Sequence, residues 1–498
     1  MLYISTRGGC SAVSSAEAIL RGIAPGGGLF VPAEDVTFTQ KDFLDLIDMT
    51  YQDRALHILK KFLTDFSTKS IEQCVQQAYA TEKFDTTMIA PLTTVTDKLA
   101  VLELWHGPTC AFKDMALQLL PHLLVQSAKV MGDKYKYAIL VATSGDTGKA
   151  ALEGFKDVAN TKILVFYPNE GVSEIQKYQM ITQEGSNVGV VAIEGNFDDA
   201  QSGVKRVFTN GEFQEELAAL GYKLSSANSI NWGRLVPQIV YYISAYLDLV
   251  RFGKIKYGEE INFIVPTGNF GNILAGYYAQ KMGLPIHKLI CASNENNVLT
   301  DFIHTGIYNR NRHFYKTISP SMDILISSNL ERLLYHLSGR NSSQVKQWME
   351  DLQHNGLYKV DQDTMKRIKQ LFWADFSTDP ETLARIKDVF TKHKYVIDTH
   401  TAVAWDVYAK YYNQTKDQRM SVIVSTASPF KFNASVVKAL FGLEALENKS
   451  EFDLLEFLAA KGNLPIPNGL KNLKQKEIKH SKVCIKEDMI EVVKDFLA

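Results

Sequence analysis

The chain lacks the features that would mark a specialised class. Its 498 residues hold five cysteines, Cys10, Cys74, Cys110, Cys291 and Cys484, spaced too widely for any CxxC pair. That argues against a zinc cluster or a disulfide framework and fits a reducing compartment, the cytoplasm. Histidines number 11, with no HExxH motif, so no metal site is indicated. No apolar run reaches the ~18 residues of a membrane span, and the start, MLYISTRGG, lacks the apolar core of a secretory signal. Neither sign of charge is in excess: 54 Lys and Arg against 55 Asp and Glu leave a net charge of −1. This points away from general binding to nucleic acid or a membrane surface. There is no internal repeat and no low-complexity tract.

What is present is ordinary globular composition, 46% hydrophobic and 22% charged. The length suits two to four domains at a prior of ~150 residues each. Residues 1–90 read as a cap, with a short strand at Tyr3-Ile-Ser and helical spacing over Asp42–Phe66 and Ser70–Tyr79. From about residue 95 strand and helix patterns alternate. The strands are Leu99–Trp105, Ala138–Ala142, Lys162–Phe166, Val188–Ile193, Asn262–Val265 and Lys288–Ala292. The helices are Asp114–Met131, Gly148–Lys156, Ser173–Ile181, Asp198–Phe208, Arg234–Val250 and Asn272–Lys281. Such alternation predicts an α/β fold, a parallel sheet with helices on both faces. Residues 300–392 break the pattern and read as a helical insertion rather than more sheet. The sheet is expected to resume at Tyr395-Val396-Ile397 and at Ser421–Val424, with a loosely patterned Lys-rich tail after Leu464 that ends in a helix near Met489–Leu497.

The chemistry concentrates at the strand ends. HGPTCAFKDMA, His106–Ala116, puts Lys113 where a strand gives way to a helix, and open α/β sheets bind ligands outside such ends. A lysine amine there can form a Schiff base with a carbonyl cofactor if its surroundings favour the neutral form; it reads equally as a solvated lysine at a helix start. Thr143-Ser-Gly-Asp-Thr-Gly148 opens a helix with small and hydroxyl residues, which suits an anion or a plain helix cap. It is not a Walker loop, because Thr143 and Ala150 stand where glycine and Ser/Thr are needed. Pro266-Thr-Gly-Asn-Phe-Gly-Asn272 repeats the arrangement: Gly268 and Gly271 permit close approach, so several amides can converge on one phosphate. Asn228-Ser-Ile-Asn-Trp-Gly-Arg234 offers two amides and a guanidinium before a long helix, a phosphate clamp or an N-cap cluster. Ser425-Thr-Ala-Ser-Pro429 supplies hydroxyls that could meet a heterocycle's nitrogen, leaving it neutral where a carboxylate would hold it protonated. His400, in Asp398-Thr-His-Thr401, reads as a satisfied structural histidine.

Taken together, these motifs resemble the threonine synthase family of fold-type-II pyridoxal phosphate enzymes. The resemblance runs from YISTRG at Tyr3–Gly8 through GLFVP at Gly28–Pro32 to STASPFKF at Ser425–Phe432, and HGPTCAFKDMA is its most specific element. It implies an α/β fold of two parallel-sheet domains: a cap at 1–90, a large cofactor-binding domain at 91–120 and 226–464 with the insertion at 300–392, a small domain at 121–225 closing over substrate, and a tail at 465–498. It implies that Lys113 holds pyridoxal 5'-phosphate (PLP) as a Schiff base. Gly268, Asn269, Phe270, Gly271 and Asn272 would bind the cofactor's phosphate, Thr426 its ring nitrogen, and Asp146 its 3'-oxygen. Ser144, Thr147, Asn228, Asn231 and Arg234 would hold the carboxylate and phosphate of O-phospho-L-homoserine. The implied activity is conversion of that substrate and water to L-threonine and phosphate, by a monomer or homodimer without nucleic acid or membrane partners. Ser428 and Thr399 depart from the family, where many relatives have His and Pro. A phospho-amino-acid lyase releasing 2-oxobutyrate and ammonia, and a non-catalytic interaction protein, remain as alternatives on the same fold.

Overall fold

The computed structural model describes residues 1–143, 145–170 and 172–498. Two sheets organise it. In the larger, the strand order is Phe372–Phe376, Ile286–Ser293, Ile261–Pro266, Ser421–Ser425, Leu99–Glu103 and Leu92–Thr96. All neighbours are parallel except the last pair. The three central strands are buried along their whole length, as parallel strands covered on both faces must be.

Alternate side chains supply the two covers. Ala100, Leu102, Phe263, Val265, Val422 and Val424 join the core built on the long helix Trp232–Arg251. Leu99, Val101, Ile264 and Ile423 pack instead with Ala402, Val403 and Val407 of the helix Thr399–Thr415. The Trp232–Arg251 helix is buried from Trp232 to Leu249, its polar residues Arg234, Gln238, Ser244 and Asp248 included. The N-terminal segment packs against that helix from outside: Tyr3–Ser5 pairs with Phe30–Pro32, and Arg7 reaches Glu331 at 2.7 Å.

The second sheet is parallel throughout, in the order Lys482–Cys484, Val188–Ile193, Thr161–Pro168, Lys136–Ala142 and Tyr222–Ser225. The tail is therefore less loose than its composition suggests. Lys482–Cys484 extends the sheet, and Met489, Val492 and Val493 of the helix Met489–Leu497 seal one face of it.

Three other expectations are corrected. Tyr395-Val396-Ile397 forms no strand; it is a largely buried link into Asp398, the cap of the next helix, and three apolar residues cannot distinguish the two. Within 300–392, Phe372–Phe376 is a strand at the edge of the larger sheet, so that stretch is not purely helical. The helix predicted over Asp114–Met131 is two, Asp114–Leu117 and Leu120–Met131.

Pro121 causes that break, since it lacks the N–H that would bond back to the Leu117 carbonyl. The space there is filled from the other side. A Cβ on Gly154, in the helix Asp146–Phe155, would lie 2.0 Å from the Leu117 oxygen. Gly154→Ala is therefore expected to destabilise the protein by about 2 kcal/mol, although alanine's helix propensity returns about 1 kcal/mol. The midpoint of urea denaturation should fall, and an unchanged midpoint would show that the two helices part at little cost.

Candidate active site

The three central strands of the larger sheet end side by side, and each hands a loop to the same crevice. Leu99–Glu103 leads to the lysine loop, Ser421–Ser425 to Thr426, and Ile261–Pro266 to residues 267–271. The lysine loop folds back along 425–428: Leu104 N–H donates to the Ser425 carbonyl at 3.0 Å, Phe112 N–H to that of Thr426 at 2.8 Å, and Ser428 N–H to that of Cys110 at 3.0 Å. Inside the loop, the Asp114 carboxylate accepts from the N–H and the hydroxyl of Thr109, both at 2.8 Å. Gly107 must be glycine, because a Cβ there would meet Asp114 Oδ2 at 2.6 Å. Burial pushes the Asp114 carboxyl up to about 7.

Lys113 is thereby aimed at Asp146, the first residue of its helix. Lys113 Nζ lies 3.6 Å from Asp146 Oδ2 and 3.4 Å from the Ser321 hydroxyl, which in turn donates to Asp146 Oδ2 at 3.3 Å. Lys431 Nζ sits 2.7 Å from Asp146 Oδ1, and Gln176 Nε2 donates to the same oxygen at 2.8 Å. Burial alone would raise the Asp146 carboxyl; the ammonium of Lys431, then that of Lys113, override it and hold the group well below the usual carboxylate range. Burial lowers the Lys113 amine; the positive charges of Lys431 and Arg234 add to this, against the pull of Asp146.

Two clusters of hydrogen-bond donors flank this centre, each a candidate cradle for an anion. At the first, Phe270 adopts a left-handed φ of 64° and starts the helix Gly271–Lys281, so the positive helix end faces the turn. Asn272 spends its carbonyl on the hydroxyls of Tyr241 and Tyr242 at 2.7 and 2.8 Å, while its Nδ2 is buried without a partner among the described residues. The loop is strapped from outside: Ser327 Oγ donates to the Gly268 carbonyl at 2.7 Å and Asn329 N–H to that of Asn269 at 3.1 Å. A Cβ on Gly268 would meet the Ser321 carbonyl at 2.9 Å. Ser321 thus touches both the lysine amine and the glycine loop, which brings those two features together.

At the second cradle, Arg234 is buried in the first turn of its helix. It donates from Nη1 to the Ala227 carbonyl and, among the described residues, leaves Nε buried without a partner. Burial pulls its guanidinium down to about 10, still charged at neutral pH. Asn228 is exposed beside it. Asn231 serves as the helix cap instead: Oδ1 accepts from Gly233 N–H and Nδ2 donates to the Ile19 carbonyl, each at 2.9 Å. Thr147 is half-buried near the start of the Asp146 helix, where Gly145, at φ 149°, has Gln176 filling the place a Cβ would take. Ser144 lies outside the described residues. Thr426 is buried beside the lysine loop. Its neighbour Ser425 is committed to Trp105 Nε1 and Thr401. His400 is structural: Nδ1 pairs with Asp398 at 2.7 Å, and Nε2 accepts from Ser321 N–H at 3.2 Å. Sequence reasoning missed Ser321 and Lys431 as members of this centre.

Residues 90–427 match the family described as pyridoxal-phosphate dependent enzyme. Residues 2–79 match the threonine synthase N terminus, and residues 401–497 the threonine synthase C-terminal region. Threonine synthase of Schizosaccharomyces pombe is 36% identical over 467 residues, covering 88% of this chain and 89% of that protein. The chain belongs to the threonine synthase family. A PLP-bound threonine synthase from Brucella melitensis superposes with a TM-score of 0.89 at 37% identity, over 100% of this chain and 99% of that one. Human threonine synthase-like 1 is 39% identical over 487 residues, 95% of this chain, and the chain spans only 64% of that longer protein's length.

The family's cofactor, PLP, fits the residues present. An aldehyde needs an amine with a depressed proton affinity, and Lys113 offers one. A phosphate needs convergent donors, and the Gly268–Asn272 turn carries an orphaned one at Asn272 Nδ2.

Proposed function

We propose that this chain converts O-phospho-L-homoserine and water into L-threonine and phosphate, with PLP held on Lys113 as a Schiff base. The observation that carries the reading is one depressed lysine amine placed between two anion cradles, each with a buried, unpartnered donor, Asn272 Nδ2 and Arg234 Nε. One cradle would take the cofactor's phosphate, the other the substrate's.

When bound, PLP supplies an electron sink that acidifies the proton beside the substrate's amine. The chain's own residues do the rest. Gly268, Asn269, Phe270, Gly271 and Asn272 would hold the cofactor's phosphate, and Thr426 would offer the ring nitrogen a hydroxyl, which would leave that nitrogen neutral. Asp146 would partner the 3'-oxygen. Arg234, with Asn228, Thr147 and Ser144, holds the substrate's phosphate and carboxylate; Asn231 contributes through the cap it forms. Lys113 Nζ would take the α-proton and then a β-proton, which lets phosphate leave from Cγ, and would return a proton to Cγ. Water would then add its hydroxyl at Cβ and a proton at Cα. Closure of residues 121–225 over the substrate excludes bulk water until that addition. The five free thiols support a cytoplasmic setting.

The deciding assay supplies O-phospho-L-homoserine to the cofactor-loaded protein. Threonine and phosphate in equal amounts are expected. Formation of 2-oxobutyrate and ammonia would make the protein a lyase, and no turnover without visible absorbance would make it non-catalytic. Ser321→Ala removes a hydrogen-bond partner of the freed lysine amine. It should lower kcat by about 5–10-fold, the worth of one neutral hydrogen bond, with KM and cofactor content unchanged; an unchanged kcat would remove Ser321 from the proton path.

A further inference from the structure

Lys431 belongs to the short turn Pro429–Phe432 and has no exposed side-chain surface. Its ammonium bridges two places: Asp146 Oδ1 at 2.7 Å and the Thr109 carbonyl of the lysine loop at 2.9 Å. The same carboxylate also receives Gln176 and Ser321, and Lys113 is its most distant partner, at 3.6 Å. An uncompensated carboxylate this close would hold Lys113 as an ammonium, useless against a carbonyl carbon.

We propose that Lys431 is a positioning residue that occupies Asp146 and so weakens the pull of its charge on the Lys113 amine. This rests on Lys113 being the cofactor lysine. The charge count supports it. The charges that act most strongly on Lys113 are those of Asp146, Lys431 and Arg234, three cations with Lys113 itself against one anion. Asp114, which also feels Lys431, is pushed up to about 7 by burial and supplies only part of a charge at neutral pH. Arginine does not deprotonate, and Lys431 has the shorter contact to Asp146. The proton that the cluster cannot support is therefore the one on Lys113, whose amine is lowered in line with this. The same arrangement explains how a carboxylate can face a cofactor oxygen without repelling it: Asp146 and Lys431 act as a neutral pair.

The test uses the full-length chain freed of cofactor and follows the rate at which added PLP is captured as a borohydride-reducible adduct, across pH. Lys431→Met should move the inflection of that profile up by about one pH unit or more, so that capture at pH 7 slows about tenfold. Asp146→Asn should move it the opposite way. The double variant Lys431→Met/Asp146→Asn should return toward the parent, and Lys431→Arg should stay near it. An unmoved inflection in Lys431→Met, or a double variant as slow as the single, overturns the proposal. If Lys431→Met does not fold, as judged by circular dichroism, the sign of the Asp146→Asn shift decides: a rise or no change overturns it. Lys113→Ala is the separate control. Adduct formation at full yield in that variant would refute the assignment of the lysine itself, not the role of Lys431.

Discussion

Replacing Lys113 by alanine should abolish the visible absorbance of the cofactor-loaded protein and reduce turnover by at least about 10³-fold. Both effects follow from the same atom. The proposed mechanism asks Nζ to hold the cofactor covalently and then to move protons at the substrate's carbons. Positioned proton transfer alone is worth roughly 10²–10⁴-fold, and loss of the covalent anchor adds to that. The fold should survive, because the loop is held by Asp114 on Thr109 and by the Phe112 and Ser428 backbone contacts, none of which uses the Lys113 side chain. Removal of a buried amine next to a carboxylate does cost something, but Lys431 and Gln176 remain on Asp146. A spectrum and a thermal unfolding curve on the same sample separate the two possibilities: a folded, colourless, inactive protein supports the assignment, and a folded protein that keeps its colour refutes it.

The parts of this site that could be read in the sequence are those built by short-range rules. A short apolar run followed by glycine, serine, threonine or asparagine and then a helical pattern is a local signal. It located the loops at Lys113, Asp146, Gly268–Asn272 and Thr426 within a residue or two of where the strands end. The parallel sheet was legible for the same reason, since strands buried on both faces leave long apolar runs.

What could not be read depends on pairing across the chain. Ser321 reaches Lys113 over a separation of 208 residues, from a stretch whose composition suggested only helices. It arrives there because Asp323 gathers Asn294, Asn296 and Thr317 into a buried network that fixes the turn. Lys431 lay in plain view, a lysine inside the otherwise apolar Pro429-Phe-Lys-Phe432 turn. A buried lysine needs a buried acid, and that signal could have prompted a search for Asp146. Asn231 was legible as polar, but its role was not: the same amide serves equally as ligand or cap until its neighbours are known.

Arg234 carries the second large prediction, because it separates recognition of the substrate from the chemistry. Its guanidinium is buried and remains charged at neutral pH, with Nη1 engaged by the Ala227 carbonyl and Nε held without a partner. A buried donor left unpaired costs roughly 1–3 kcal/mol, more for a charged group, and that cost disappears when an anion arrives. Arg234→Ala should therefore lower kcat/KM for the phosphorylated substrate by about 10²–10³-fold, corresponding to the 2–5 kcal/mol typical of a truncated buried charge pair. Inhibition by inorganic phosphate should be lost in parallel. Cofactor affinity should change little, since its phosphate is assigned to the other cradle. Arg234→Lys should recover only part of the loss, because a lysine keeps the charge without the planar fork that pairs with a phosphate. If kcat/KM instead falls by less than about tenfold while cofactor binding weakens, the guanidinium serves the cofactor and the two cradles have been assigned the wrong way round.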